Sequence, residues 1–131
     1  DSGLLHYLLD IHHLKNLLYH PMLGYSWEGY VIEQIISQLP DSVQPYYYRT
    51  HDGAEVDLVL VKGIKPIASI EIKYSEQPTL SRGYTESIKE LETKHNIIIT
   101  PNAAAEWPIN KNISGIGLRE FLEVKLAKIC K

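Results

Sequence analysis

Cysteine occurs once in this chain, at Cys130, so no internal disulfide can form and nothing in the sequence points to an oxidising compartment. No run approaches the roughly 18 consecutive apolar residues of a membrane-crossing helix. No signal-peptide pattern is visible either, so a cytoplasmic protein is the expectation. There is no G-x-x-x-x-G-K-[ST] loop to cradle nucleotide phosphates and no G-x-S-x-G elbow to present a nucleophilic serine. Internal repeats, low-complexity tracts and linkers are also missing. Nor is there the excess of Lys and Arg that marks a nucleic-acid-binding domain, since the formal net charge is −3.

That charge is unevenly spread. Residues 1–60 carry two bases, Lys15 and Arg49, against eight acids, while residues 61–131 carry eleven bases against eight acids. A basic second half suits a one-sided face for a polyanion, because the local field matters more than the total. The plainer reading is that Lys62, Lys65, Lys89, Lys94 and Lys125 are solvated surface charges. With 131 residues, 44% of them apolar, the chain is long enough to bury one core, and a single domain over 1–131 is expected. Because it begins at Asp1 rather than Met, the expectation is a piece cut from something longer.

Gly53–Lys73 is the stretch that organises the rest. Glu55-Val56-Asp57-Leu58-Val59-Leu60-Val61 and Ile67-Ala68-Ser69-Ile70-Glu71-Ile72-Lys73 are two arms rich in Val and Ile, separated by Lys62-Gly63-Ile64-Lys65-Pro66. Gly and Pro punctuate a turn there, so the stretch predicts a β-hairpin. Strict alternation puts Val56, Leu58 and Leu60 on one face and Glu55, Asp57 and Val59 on the other. A turn centred on Ile64 sets Asp57 opposite Glu71 and Glu55 opposite Lys73. Facing carboxylates stand roughly 5 Å apart at Cβ and repel. A hard divalent cation offsets that repulsion, since Mg²⁺ prefers oxygen ligands and takes one or two carboxylates plus waters and phosphate oxygens. Asp57 with Glu71-Ile72-Lys73 is therefore a small metal site in outline.

Elsewhere the chain reads as alternating helices and strands. Asp1 and Ser2 are suitable caps for a helix, or two short ones, over residues 1–18. His12, His13 and His20 follow without the flanking Cys or carboxylate that completes a usual metal-ligand spacing. Tyr25–Leu39 has strong helical periodicity, and Glu28 lies on the stripe of Ile32, Ile35 and Leu39 that faces the sheet. Glu28 there either joins the acidic cluster or interacts only with the helix dipole. Tyr46–Thr50 predicts a first strand. Arg49 at its end is a candidate phosphate contact, or a partner for Asp52 or Glu55. A helix over Thr79–Glu92, weakened by Gly83, is expected before Asn96–Thr100, whose Ile97-Ile98-Ile99 run suits a strand buried on both faces. Strand, helix, strand implies a parallel crossover. Pro101–Asn112, with Trp107, is expected to be irregular, Ile113–Ile116 a last strand and Leu118–Ile129 a closing helix. The fold class is α/β, with a mixed four- to five-stranded sheet and helices on both faces.

Asp57 followed by Glu71-x-Lys73 resembles the signature of the PD-(D/E)xK nuclease superfamily. Four ordered segments narrow the likeness: Asp1-Ser2-Gly3-Leu4-Leu5, Gly24-Tyr25-Ser26-Trp27-Glu28, Tyr47-Tyr48-Arg49, and Gly53-Ala54-Glu55-Val56-Asp57. Together they look like the nuclease-like C-terminal domain found behind the AAA+ ATPase module in many prokaryotic chains, and the resemblance covers most of the sequence. It implies a three-layer α/β/α, restriction-endonuclease-like fold, an upstream AAA+ ATPase in the same chain, and DNA as a partner. It also implies Mg²⁺ or Mn²⁺ held by Asp57, Glu71, Glu28 and the Ile72 carbonyl, with Lys73 as the catalytic ammonium.

Two assignments follow. In the first, Asp57, Glu71 and Lys73 hydrolyse DNA phosphodiester bonds: the metal activates a water, Lys73 orients it or stabilises the transition state, and Arg49 contacts phosphate. In the second, the hairpin holds only structural ion pairs, and the fold is a catalytically inactive module that binds DNA or a partner protein for the ATPase.

Overall fold

The computed structural model describes residues 2–131. Two short helices open the chain, α1 (Ser2–Leu8) and α2 (Leu14–Leu18), followed by the long α3 (Leu23–Ile36). The expected capping by Asp1 and by the Ser2 side chain lies outside the described residues. Three strands then run in succession, β1 (Val43–Arg49), β2 (Glu55–Lys62) and β3 (Lys65–Ile72). After α4 (Arg82–Leu91) come β4 (His95–Thr100), the two-residue β5 (Trp107–Pro108) and β6 (Ile113–Gly117). The chain closes in α5 (Leu118–Glu120), a π-helical turn over Phe121–Lys125, and α6 (Leu126–Cys130). Among the described residues no helix is long and apolar enough to cross a membrane.

The strands form one mixed sheet in the order β1-β2-β3-β4-β6-β5. It has six strands rather than the expected four or five, because β5 forms inside the stretch expected to be irregular. β1, β2 and β3 are antiparallel neighbours, whereas β3, β4 and β6 are parallel. Parallel pairing of β3 with β4 needs a crossover, which α4 supplies. β1 begins three residues earlier than the aromatic run suggests and includes Pro45, which an edge strand tolerates because it owes no hydrogen bond on its outer side.

The core lies on both sides of the sheet, and β4 shows how it divides. Ile97 and Ile99 pack with Leu58, Leu60, Ile70 and Ile72 against Val31 and Ile35 of α3 and against Phe121, Leu126 and Ile129 of the C-terminal helix. Ile98 packs instead with Val56, Val59 and Ile113 against Tyr84 and Ile88 of α4. Val56 thus leaves the face that alternation predicted for it. A bulge explains the move: the β1–β2 register shifts between Tyr46, opposite Val59, and Tyr48, opposite Val56. One extra residue brings both valines to the α4 side.

Two close fits fix the layers. The Tyr84 hydroxyl donates to the Ser69 carbonyl at 2.8 Å and accepts the Ile97 amide at 3.0 Å, joining α4 to both β3 and β4. At the far edge the Trp107 ring lies flat on Gly115, where an added Cβ would stand 2.2 Å from the ring. That contact gives Trp107 a packing role, which the sequence alone did not. Gly115→Ala is accordingly expected to lose about 1–3 kcal/mol of stability, the usual cost of overpacking, read as a lower urea midpoint at unchanged slope. An unchanged midpoint would show that β5 yields freely.

Candidate functional site

The hairpin turns through Gly63, whose φ of +65° suits a residue without a Cβ. From there the register runs Lys62↔Lys65 and Val61↔Pro66, shifts by one residue, and continues as Leu60↔Ala68, Val59↔Ser69 and Leu58↔Ile70. The second part is the register that a turn centred on Ile64 predicts. Backbone pairing then stops, so the Asp57–Glu71 and Glu55–Lys73 positions lie beyond the last paired residues. In place of a ladder bond, the Asp57 carboxylate reaches into the gap, where Oδ2 accepts the Ile72 amide at 2.7 Å. β3 remains held on its other side, since the Lys73 amide donates to the Ile99 carbonyl at 3.0 Å.

Glu71 is the most deeply placed of the acids, with 5% of its surface exposed. Its Oε1 takes the Lys73 ammonium at 2.7 Å, and its Oε2 is buried with no hydrogen-bond partner. Burial raises the pKa of Glu71, opposed by the Lys73 contact and assisted by the charges of Asp57 and Glu55. Asp57 is raised by its own burial, against the Ile72 amide and Lys73, with Glu55 adding to the rise. Glu28, on the second turn of α3 and half-buried, is raised by burial and then by Asp57, Glu55 and Glu71. For Lys73, burial works downward, but Glu71, Asp57 and Glu28 outweigh it and hold the ammonium above its ordinary value. Lys73 is therefore a fixed cation rather than a ready base.

Four acids and one ammonium thus share one field. Glu28, Ile72 and Lys73 line one cleft of about 330 Å³ with Tyr25 and Tyr74, and the charges of Asp57 and Glu71 act on Glu28 and Lys73. Lys73 pairs with Glu71 rather than with Glu55. Glu55 instead accepts the Tyr47 hydroxyl at 2.8 Å and, in register, faces Arg49 across β1 and β2. Its place in the cluster was missed; the signal was an acid two residues from Asp57. Arg49 is exposed at the end of β1, and no ion pair to it is found among the described residues. His20, set aside as a ligand, accepts the Met22 amide through Nδ1.

The donor set fits a hard cation in one respect and is sparse in another. An unpartnered, buried carboxylate oxygen surrounded by raised carboxyls is what a divalent ion would satisfy. Yet among the described residues no three His, Cys, Asp or Glu side chains are gathered as a ligand group. Two carboxylates completed by waters is the arrangement these residues can supply.

Comparison with known proteins adds the following. A family model described as "Domain of unknown function (DUF4143)" matches residues 23–121. Over 122 residues, 93% of this chain, the sequence is 38% identical to "Uncharacterized protein Rv2008c" of Mycobacterium tuberculosis and to "Uncharacterized protein Mb2031c" of Mycobacterium bovis. The chain spans 27% of the length of each of these relatives. A solved structure, "Refined half-complex from tetradecameric assembly of Thermococcus gammatolerans McrB AAA+ hexamers with bound McrC", is similar at a TM-score of 0.46 and 12% identity, over 72% of this chain and 27% of that one. At that score the likeness carries no argument.

The raised carboxyls give the site a signed pH dependence. A folded state that holds these protons more tightly than the unfolded chain is fully stable below the ordinary carboxyl values, and loses stability as pH rises from them through the raised ones. Asp57→Asn keeps an oxygen for the Ile72 amide and removes one of the charges. In metal-free buffer at pH 7 it is expected to raise the Tm by roughly 2–4 °C, about 1 kcal/mol for a domain of this size. The gain should vanish below pH 3.8, the ordinary Asp value. A variant that is less stable at pH 7 would show the Asp57 charge to be structural.

Proposed function

Starting from a chain that belongs to the DUF4143 family, a domain of unknown function, we propose that it is a metal-dependent nuclease-like domain hydrolysing DNA phosphodiester bonds, of three-layer, restriction-endonuclease-like architecture. The observation that carries this reading is the buried, unpartnered Oε2 of Glu71 beside Asp57, with Lys73 fixed on the opposite oxygen. The resemblance of Asp57 and Glu71-Ile72-Lys73 to the PD-(D/E)xK signature supports it.

In this reading Asp57 and Glu71 offer oxygens to Mg²⁺ or Mn²⁺, with Glu28 across the cleft and the Ile72 carbonyl as further ligands. When bound, such an ion lowers the pKa of a water and neutralises charge on the phosphate. Lys73 stays protonated and serves as an electrostatic and positioning group, aimed at the cleft through its hold on Glu71. It does not serve as general base, because the surrounding carboxylates hold its proton on. Arg49, exposed and without an ion pair among the described residues, is available to a backbone phosphate a strand away from the cluster. The domain is read as an accessory to an AAA+ ATPase in the same chain. The four-segment resemblance and the greater length of the mycobacterial relatives support that placement.

Two observations favour a second reading, a catalytically inactive module of the same fold that binds DNA or a partner protein for the ATPase. Among the described residues no three-ligand group is assembled, and Lys73 already satisfies half of Glu71.

Thermal unfolding with added ion separates the two. Mn²⁺ or Mg²⁺ at about ten times Kd is expected to add about 1.4 kcal/mol of stability, and neither Asp57→Ala nor Glu71→Ala should retain the gain. Under the same conditions the wild type should nick supercoiled DNA, and Lys73→Ala should bind the ion yet cut at least about a hundredfold more slowly. Absence of any ion-dependent Tm shift would leave the inactive module as the reading.

A further inference from the structure

At the opposite end of the sheet from the acids lies a recess that the proposed nuclease chemistry does not use. β4 starts there, at His95 beside Ala68, whereas Ile99 stands beside Ile72 at the acidic end. Four residues of parallel strand separate the two levels, roughly 13 Å. The recess has a volume of about 260 Å³, and its lining includes Lys94, Lys111, Lys125, His95, Asn110 and Asn112. A second recess of about 510 Å³ shares Lys94 and Lys111 and adds Lys89 and one acid, Glu92, which leaves its lining net positive. In a chain with a net charge of −3, this is a concentration of positive charge around one concavity.

The wall is built rather than draped. Asn110 Oδ1 accepts the amides of Asn112 and Ile113 at 2.8 and 2.9 Å, and Asn96 Nδ2 donates to the carbonyls of Thr93 and Asn112, each at 3.2 Å. Those bonds tie the Asn110–Asn112 turn to the start of β4. The donors that remain are unspent: the ammonium groups of Lys94 and Lys111 and the amide nitrogens of Asn110 and Asn112 have no hydrogen-bond or ion-pair partner among the described residues. Lys125 is partly neutralised by Glu106 at 2.7 Å, and Glu106 is in turn held by the Ser114 hydroxyl. The balance over the cavity is positive, and its free charged groups are donors; Asn112 offers a carboxamide that can donate through Nδ2. Such a site takes a compact, oxygen-rich anion.

The geometry points to a phosphate-binding site formed by Lys94, Lys111, Lys125, Asn110 and Asn112, distinct from the acidic cluster. The phosphate is either a free one or one carried in a nucleic-acid backbone. His95 reports on it from within. Its imidazole is held below its usual value by burial and by the charges of Lys125 and Lys94, with Glu106 acting the other way. An anion seated among those lysines cancels their effect and lets His95 take up a proton at higher pH.

The test is an NMR titration of the His95 ring in the whole domain at constant ionic strength, without added ligand, with inorganic phosphate, and with a short oligodeoxynucleotide. Phosphate is expected to raise the midpoint of His95. Lys111→Glu, on an exposed turn with no partner to lose, should weaken that response about tenfold, the worth of one charge-assisted hydrogen bond. A response to the oligonucleotide and not to free phosphate assigns the site to a nucleic-acid backbone, and a response to free phosphate assigns it to a small anion. An unmoved His95 with both probes, or an equal response in Lys111→Glu, overturns the site. Asp57→Asn, run in parallel, should respond as the wild type does, so failure here is separate from failure of the nuclease reading.

Discussion

Burying the Glu71 carboxylate is the constraint around which this end of the molecule is arranged. A charge so far removed from water costs several kcal/mol unless it is paired and hydrogen-bonded. Lys73, two residues on and on the same side of β3, satisfies one oxygen. The other oxygen has no partner. Replacing such a buried pair by apolar residues of similar volume is often neutral or stabilising, so the pair by itself is a weak source of stability. Under the function proposed above, a hard cation completes it, its charge answering Asp57 and Glu28 as well.

The fold makes room for that arrangement by interrupting its own sheet. Past Leu58 and Ile70, β2 and β3 no longer pair, which exposes the Ile72 amide inside the protein. A buried N–H needs an acceptor, and Asp57 provides one. The same side chain therefore closes the ladder and carries charge to the cluster. The other side of β3 is held by β4 and by Tyr84, so the unpaired stretch lies only on the β2 side. Val31 and Ile35 anchor α3 in the core, and one turn before Val31 the helix presents Glu28 to the cleft it lines with Ile72 and Lys73.

Much of this was legible in the sequence, for identifiable reasons. Gly63 and Pro66 located the hairpin turn, and counting outward from Ile64 gave the Leu58↔Ile70 register. The isoleucine run at 97–99 announced a strand covered on both faces, and the strand-helix-strand order announced a parallel neighbour for β3. What alternation could not supply was the pair of bulges. One extra residue opposite Tyr46–Tyr48 reverses the parity of everything before it on β2. Val56 therefore packs under α4, and the simple two-face reading of Glu55 and Asp57 fails. No local signal marks that bulge, because it is settled by which layer has space for Val56. Trp107 was opaque for a similar reason. Its partner is the missing side chain of Gly115, and that absence acquires meaning only once β5 and β6 lie side by side.

The uneven charge along the chain becomes an uneven charge in space through one connection. β3 ends among the acids, α4 carries the chain back along the sheet, and β4 begins among the lysines. Acids drawn mostly from the first half, Glu28, Glu55 and Asp57, thus gather with Glu71 at one end of the strands, and lysines of the second half gather at the other. At physiological salt the screening length is about 8 Å, shorter than the roughly 13 Å between the two levels, so the fields act largely independently. A phosphate approaching the acidic end meets repulsion until a cation is present, whereas the basic end attracts it without help. If both proposals hold, the two surfaces divide the work: the basic end holds a phosphate constitutively, and the acidic end accepts one only when a cation offsets its charge.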